Sequence, residues 1–163
     1  MFTFLRNLFP VIMKKFYILL LLSAVTAAIN AQSVKQVQWA YSAKKIADKI
    51  YEVHMTATIG ANYHMYAQNA GVEGPLPTVF KFVNNPLAGL DGKVKEDGKL
   101  IKKKEEVWGG NVQYYENTVD FVQLVKLKGN IKTTLAGSVE FMVCNEKQCL
   151  PPSTIEFKVN IGG

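Results

Sequence analysis

Cysteine and histidine are scarce in this sequence. Its 163 residues include two cysteines, Cys144 and Cys149, and two histidines, His54 and His64. A zinc site usually takes four ligands, so these residues would form one only by an accident of folding or with a partner's help. Four residues lie between the cysteines, and no βαβ pattern accompanies them, which excludes a thioredoxin-type C-x-x-C motif. The sequence therefore predicts no metal site and no cofactor.

Long hydrophobic runs are also missing. The most apolar stretch, residues 16–22, is shorter than the roughly 20 residues that a transmembrane helix needs. It follows two lysines and precedes the small-residue segment SAVTAAINA, which ends at Ala31. This order is typical of a secretory signal, so we predict a signal peptide over residues 1–31, with Met13 as a second possible start. Residues 32–163 would then form one exported domain.

A strong charge of one sign is lacking in the predicted domain. The net charge of +6 includes Arg6, Lys14 and Lys15, which lie in the signal peptide. The run Lys102–Lys104 is followed at once by Glu105 and Glu106, which cancel much of its field beyond a Debye length of about 8 to 10 Å. We interpret this run as a solvated loop and predict no nucleic-acid partner. A glycine-rich phosphate loop is also absent, and no small-molecule ligand is predicted.

Alternation of apolar and polar residues is what the sequence does contain. It runs through residues 51–59, 139–143 and 155–161, and predicts half-buried strands. Residues 119–127 are apolar at most positions, which predicts a strand covered on both faces. The stretch 42–50 fits either a helix or a hairpin that turns at Asp48-Lys49, and we favour the hairpin. Short strands separated by turn signals indicate an all-β sandwich or barrel.

The two cysteines lie at the ends of a predicted hairpin whose tip is residues 145–148. Paired strand ends bring Cα atoms to about 4.5 to 5.5 Å, which allows a disulfide. In an exported protein such a bond is most often inert. However, closing so short a loop stabilises a protein by only about 2 kcal/mol. Pro151 and Pro152 place the following strand at a sheet edge, where they would either expose Cys149 to a partner or merely protect the edge.

The segment VEFMVCNEKQCLPPSTIEFKV resembles the C-terminal part of the N-terminal periplasmic domain of DsbD, the transmembrane thiol:disulfide interchange protein. Weaker similarity extends over most of the predicted domain, through the stretches VQWAYS, YEVHMTATIGANYHMY, GPLPTVFKF and EEVWGGNVQYYENTVDF. The resemblance implies an immunoglobulin-like antiparallel β-sandwich in the periplasm. It also implies a cysteine pair that cycles between dithiol and disulfide.

The resemblance assigns roles to individual residues. Cys144 and Cys149 match the redox pair, and Cys149 matches the cysteine that forms mixed disulfides with partners. The implied partners are a membrane electron-donor protein of the DsbD type and thioredoxin-fold periplasmic proteins, including those of cytochrome c biogenesis. The implied activity is that of a protein-disulfide reductase component.

Other matched positions would surround the pair. Trp108, or its neighbour Val107, falls in the cap loop whose aromatic residue covers the disulfide, and Glu106 flanks that cap. His64 and Tyr66 match aromatic positions near the pair. Each has a simpler alternative, since Trp108 fits a core position and the other two fit the rim of a sandwich. Two glycines after Trp108 would suit a loop that opens.

The sequence departs from the family in two respects. The spacer between Cys144 and Cys149 is one residue shorter than is typical. The sequence ends at Gly163 without a membrane module, so we expect electrons to come from a separate protein. The alternative function is that of an immunoglobulin-like binding or assembly module with a purely structural disulfide.

The first testable prediction concerns export. Because the small-residue stretch precedes the polar segment QSVKQ, the mature protein should begin at or near Gln32 and should be soluble. No cysteine lies directly after the small-residue segment, so the signal offers no site for lipid attachment. Mass spectrometry of periplasmic material should detect this N-terminus, and a membrane-retained chain that keeps residues 1–31 would contradict the prediction.

Overall fold

The computed structural model describes residues 36–162, so the predicted signal peptide lies outside the described residues. These described residues form eleven strands and one short 3₁₀ helix. No helix within this range is long and apolar enough to cross a membrane. The strands are β1 (Val37–Ala47), β2 (Ile50–Ile59), β3 (His64–Tyr66), β4 (Val79–Phe82), β5 (Ala88–Gly98), β6 (Ile101–Glu105), β7 (Gly110–Tyr115), β8 (Thr118–Leu127), β9 (Thr133–Phe141), β10 (Val143–Cys144) and β11 (Ser153–Ile161), and the 3₁₀ helix is Glu106–Trp108.

The first two strands confirm the predicted hairpin. β1 and β2 pair antiparallel, and the chain reverses at Asp48-Lys49. Lys49 has φ 58°, in the left-handed region that a tight turn requires. Alternate side chains of β2 are buried from Tyr51 to Ile59. The stretch 42–50 that also fitted a helix forms the end of β1, the turn and the first residue of β2, and most of its side chains are exposed.

All sheet pairings are antiparallel, and they form three sheets. The first has the order β1-β2-β8-β5, the second β11-β9-β4, and the third β10-β3-β7-β6. The first two sheets pack face to face around an aromatic core. There Trp39 of β1 lies 6.1 Å from Phe80 of β4 and 5.6 Å from Phe141 of β9 between ring centroids. The predicted all-β, immunoglobulin-like sandwich is confirmed.

Two local expectations differ from the structure. From Val119 to Val125, β8 buries one face completely, but Val122 and Leu124 on its other face are only half-buried by the part of the chain that the structure describes. The lysine-rich run that we interpreted as a loop is strand β6, whose backbone pairs with β7 at a sheet edge. Its three lysine side chains are exposed, and this made a paired strand resemble a loop in the sequence.

The third sheet determines where the cysteines lie. β9 ends at Phe141, and after Met142 the chain enters β10, which pairs with β3 instead of continuing in the second sheet. The chain returns at Ser153, which lies opposite Phe141 at the start of β11. β11 is an edge strand, as the two prolines predicted. The cysteine segment is thus an excursion from the sandwich.

Gly137 of β9 generates a stability prediction. A Cβ at this position would lie 2.5 Å from the carbonyl oxygen of Lys81 and 2.7 Å from the ring of Phe157. Gly137→Ala should therefore lower the free energy of unfolding by about 1 to 3 kcal/mol. Gly129→Ala is the matched control, because no atom lies within 4 Å of its added Cβ, and it should change stability by less than about 1 kcal/mol. Equal effects in urea unfolding would contradict this account.

Candidate functional site

A tight hairpin holds the two cysteines together. The Asn145 side-chain oxygen accepts hydrogen bonds from the backbone N–H groups of Lys147 and Gln148, both at 2.9 Å. This is the turn chemistry for which asparagine is favoured. The backbone N–H of Asn145 also donates to the carbonyl of Gln148, and that of Leu150 donates to the carbonyl of Val143. These two bonds flank the cysteines, which face each other in a non-hydrogen-bonded antiparallel pair.

Cys144 and Cys149 form a disulfide with an S–S distance of 2.02 Å. Their Cα atoms are 3.9 Å apart, closer than the 4.5 to 5.5 Å expected from the sequence. The non-hydrogen-bonded position accounts for the direction of the difference, since it is the closer of the two antiparallel pairings. The predicted hairpin geometry therefore does permit the bond.

The two sulfur-bearing residues have opposite environments. Cys144 is 2% exposed and belongs to a small apolar cluster beneath the hairpin, whereas Cys149 is exposed. The other buried members of this cluster are Tyr66, Ala70, Val112, Tyr114 and Met142. Pairing with β3 holds Cys144 in place, and the hairpin turns Cys149 outward. An incoming group can therefore approach the disulfide from the Cys149 side.

A cleft of about 440 Å³ lies beside the disulfide. It brings together all seven residues that the sequence predicted for the site, which are His64, Tyr66, Glu106, Val107, Trp108, Cys144 and Cys149. The remaining lining residues were not predicted, and they are Lys103, Glu105, Asn145, Glu146, Lys147 and Gln148. Four of these belong to the hairpin tip between the cysteines, so its position in the sequence was a usable signal.

The 3₁₀ helix forms one wall of the cleft. The Trp108 indole N–H donates a hydrogen bond to the Tyr66 hydroxyl at 3.1 Å. The indole also packs closely on Gly74, where an added Cβ would lie 2.4 Å from a ring carbon. Val107, at the outer tip, is 80% exposed. Cys149 remains exposed with this segment in place.

The two glycines after Trp108 have different structural roles. Gly109 has φ 70° and open space around its Cα, which fits a hinge. Gly110 begins β7, and a Cβ there would lie 2.6 Å from the Val72 side chain. Gly110 is therefore required for close packing, and the expected two-residue hinge reduces to Gly109.

His64 lies directly opposite Cys144 in the register of β3 and β10. It is 8% exposed, and its ring centroid is 4.4 Å from that of Tyr114 and 5.4 Å from that of Tyr66. Its Nε2 atom is buried without a hydrogen-bond partner among residues 36–162. Burial lowers the pKa of His64, because the charged imidazolium loses its hydration.

Charged side chains line the rim of the cleft. Lys103 of β6 forms an ion pair with Glu146 of the hairpin at 3.4 Å, and Glu146 raises the pKa of Lys103. Both groups are exposed, so this pair contributes little to stability. No local pattern in the sequence indicates this ion pair, because its partners are 43 positions apart. Within residues 36–162, no three His, Cys, Asp or Glu residues are grouped so that they could hold a metal ion.

The sequence model of the family described as "Thiol:disulfide interchange protein DsbD, N-terminal" matches residues 30–161. The chain belongs to this family. The match covers every strand and both cysteines, and it confirms the resemblance that the cysteine-proline segment suggested. The family and the Cys144–Cys149 disulfide support a role in thiol:disulfide interchange. No curated protein matched the chain.

Two solved structures show the same fold, and a third aligns less closely. The reduced DsbD N-terminal domain of Neisseria meningitidis aligns with a TM-score of 0.53 at 20% identity, over 79% of this chain and 88% of that one. The N-terminal periplasmic domain of ScsB from Proteus mirabilis aligns with a TM-score of 0.54 at 13% identity, over 77% of this chain and 46% of that one. A complex between the DsbD and PilB N-terminal domains of Neisseria meningitidis gives a TM-score of 0.45 at 18% identity, over 74% and 80% of the two chains.

The lowered pKa of His64 predicts a pH dependence of stability. Because the unfolded state binds a proton more readily, His64 reduces stability as pH falls below the ordinary histidine pKa of about 6.5. The reduction stops growing below the folded-state pKa. His64→Phe should therefore lose less stability than wild type between pH 7.5 and pH 5. Urea unfolding at the two pH values measures this, and an unchanged or larger loss in His64→Phe would contradict it.

Proposed function

We propose that the Cys144–Cys149 disulfide is exchanged with other proteins, so that the domain relays reducing equivalents. The observation that carries this proposal is the unequal exposure of the two cysteines beside an open cleft. An inert disulfide needs no exposed sulfur. Closing a loop as short as this one also stabilises the folded protein by only about 2 kcal/mol. Stabilisation alone is therefore a weak reason for a disulfide at this position.

The exchange proceeds through two mixed disulfides. A thiolate of the reductant attacks the Cys149 sulfur, and the bond to Cys144 breaks with Cys144 as the leaving thiolate. A second thiol of the reductant then attacks the mixed disulfide, which oxidises the reductant and leaves the cysteine pair reduced. The reduced Cys149 next attacks the disulfide of an acceptor protein. Cys144 attacks Cys149, restores the original disulfide and releases the reduced acceptor.

The segment Glu106–Trp108 is proposed to guide partners to Cys149. Val107 presents an apolar side chain at the tip of the segment, and such a residue gains free energy when a partner covers it. Trp108 is fixed by Tyr66 and Gly74, so it serves as the rigid base of the segment. The αL residue Gly109 permits the segment to move when a partner docks.

The proposed partners follow from membership in the family. The donor is a membrane protein of the DsbD type, and the acceptors are thioredoxin-fold proteins of the periplasm, including those that serve cytochrome c biogenesis. The predicted signal peptide over residues 1–31 supports a periplasmic location. In this role the domain acts as a protein-disulfide reductase component.

Trapping tests the proposal. Cys144→Ser leaves the exposed Cys149 without its resolving partner, so it should accumulate a covalent complex with a thioredoxin-fold periplasmic protein. Cys149→Ser keeps only the buried Cys144, and it should accumulate at least about tenfold less of this covalent complex. Non-reducing gel electrophoresis with mass spectrometry measures both. Each variant should cost about 2 kcal/mol of stability or less, because the lost loop is short.

Two results would contradict the proposal. One is that neither variant forms a covalent complex while both remain folded. The other is that purified, reduced thioredoxin-fold proteins fail to reduce wild type under conditions that reduce an established exchange disulfide. Either result would assign the disulfide a structural role and favour a binding or assembly module.

A further inference from the structure

His64 lies directly across the strand pair from Cys144, the buried cysteine. Residues directly opposite in an antiparallel pair project their side chains to the same face, with Cβ atoms about 4.5 to 5.5 Å apart. Cys144 and His64 are such a pair, and both line the cleft. The Nε2 atom of His64 is buried and unpartnered within residues 36–162. A buried polar atom of this kind costs free energy unless it gains a partner at some stage of function.

The proposed exchange creates a need for a proton acceptor at this place. Before Cys144 attacks the mixed disulfide, its thiol must lose a proton, since only the thiolate is nucleophilic. A thiol in apolar surroundings holds its proton more tightly than a free cysteine does. Cys144 is 2% exposed, so bulk water has poor access to its sulfur.

We propose that His64 is the proton acceptor for Cys144 when the mixed disulfide is resolved. This inference rests on the proposed function. The Cys144 thiol passes its proton to Nε2 of the neutral imidazole, and the resulting thiolate attacks the Cys149 sulfur. The bond between Cys149 and the partner breaks, and the partner's sulfur leaves with the electron pair. In the reverse reaction the imidazolium returns the proton to Cys144 as that sulfur leaves.

The surroundings of His64 suit a neutral base. Burial is the largest influence on its pKa and lowers it, so the imidazole is unprotonated and able to accept a proton near pH 7. The carboxylates of Glu105, Glu116 and Glu146 oppose this shift and would stabilise the imidazolium once it forms. The positive charge of Lys103 lowers the pKa of His64, as burial does. The remaining titratable groups against the ring are the hydroxyls of Tyr66 and Tyr114 and the Cys144 sulfur.

Neighbouring groups are less suited to the role. Burial raises the pKa of both Tyr66 and Tyr114, so their phenols retain their protons near neutral pH and are not bases. The other histidine, His54, lies on β2 in the first sheet, and its Nδ1 is 2.6 Å from a carboxylate oxygen of Asp120. Of the two histidines, only His64 lines the cleft.

A small aromatic disulfide with a coloured leaving thiolate, such as 5,5′-dithiobis(2-nitrobenzoate), separates the two steps without a partner protein. Reduced Cys149 attacks the reagent in a first phase whose rate depends on reagent concentration. Cys144 then attacks Cys149 and releases the second coloured thiolate at a rate independent of that concentration. Stopped-flow absorbance measures both phases. The second phase reports the step assigned to His64.

His64→Phe retains an aromatic ring but removes the base, and His54→Phe is the matched control. His64→Phe should slow the second phase at pH 7 by at least about tenfold, within the range of general acid–base effects, and leave the first phase within about twofold. Between pH 6.5 and 8 the wild-type second phase should be nearly flat. In His64→Phe it should rise about tenfold per pH unit, because the thiol must then ionise by itself. His54→Phe should resemble wild type in both phases.

A second-phase rate and pH profile in His64→Phe that match wild type would overturn the inference. Equal slowing of both phases with the wild-type pH profile would also overturn it, because it would show a structural role. Urea unfolding of each variant verifies that it is folded, and His64→Gln carries the test if His64→Phe is not. The assay contains no protein partner, so failure of the proposed relay and failure of this inference are distinguishable.

Discussion

The pairing of β10 with β3 is the constraint on which the candidate site depends. It draws the chain out of the second sheet at Met142 and places Cys144 opposite His64 in the small apolar cluster. The Asn145 turn then reverses the chain, so Cys149 reaches the surface. The unequal exposure of the two cysteines therefore follows from this change of sheet. The same pairing places His64 opposite the cysteine that, in the proposed exchange, gains and loses a proton.

The pairing within the second sheet resumes directly after this excursion. Ser153 of β11 lies opposite Phe141 of β9, and the pairing continues without a break to Ile161. The main core between the first two sheets includes Val143 and Leu150 from the excursion but neither cysteine. In the proposed exchange the disulfide opens and closes while this strand pairing persists. This separation between a stable scaffold and an exchangeable bond is what a repeated redox cycle requires.

Local patterns predicted the strands, because alternation and turn residues act within a few positions of one another. The hairpin at Lys49, the edge strand after Pro152 and the all-β class were all accessible in this way. The change of sheet at Met142 was not, because it depends on β3, which lies far away in sequence. The family resemblance located the residues around the disulfide, since it carries spatial information. The burial of the His64 Nε2 atom without a partner among residues 36–162 required the structure, because it depends on residues that are distant in sequence.

The central claim is that the disulfide is exchanged and is not a permanent crosslink. Its reduction potential is the most direct measure of this. Equilibration of the purified domain with dithiothreitol or glutathione buffers, followed by alkylation and mass spectrometry, gives that value. Structural disulfides in exported proteins usually lie below about −300 mV, whereas exchangeable ones lie above it. The account predicts a value above about −300 mV, and a value below it would contradict the account.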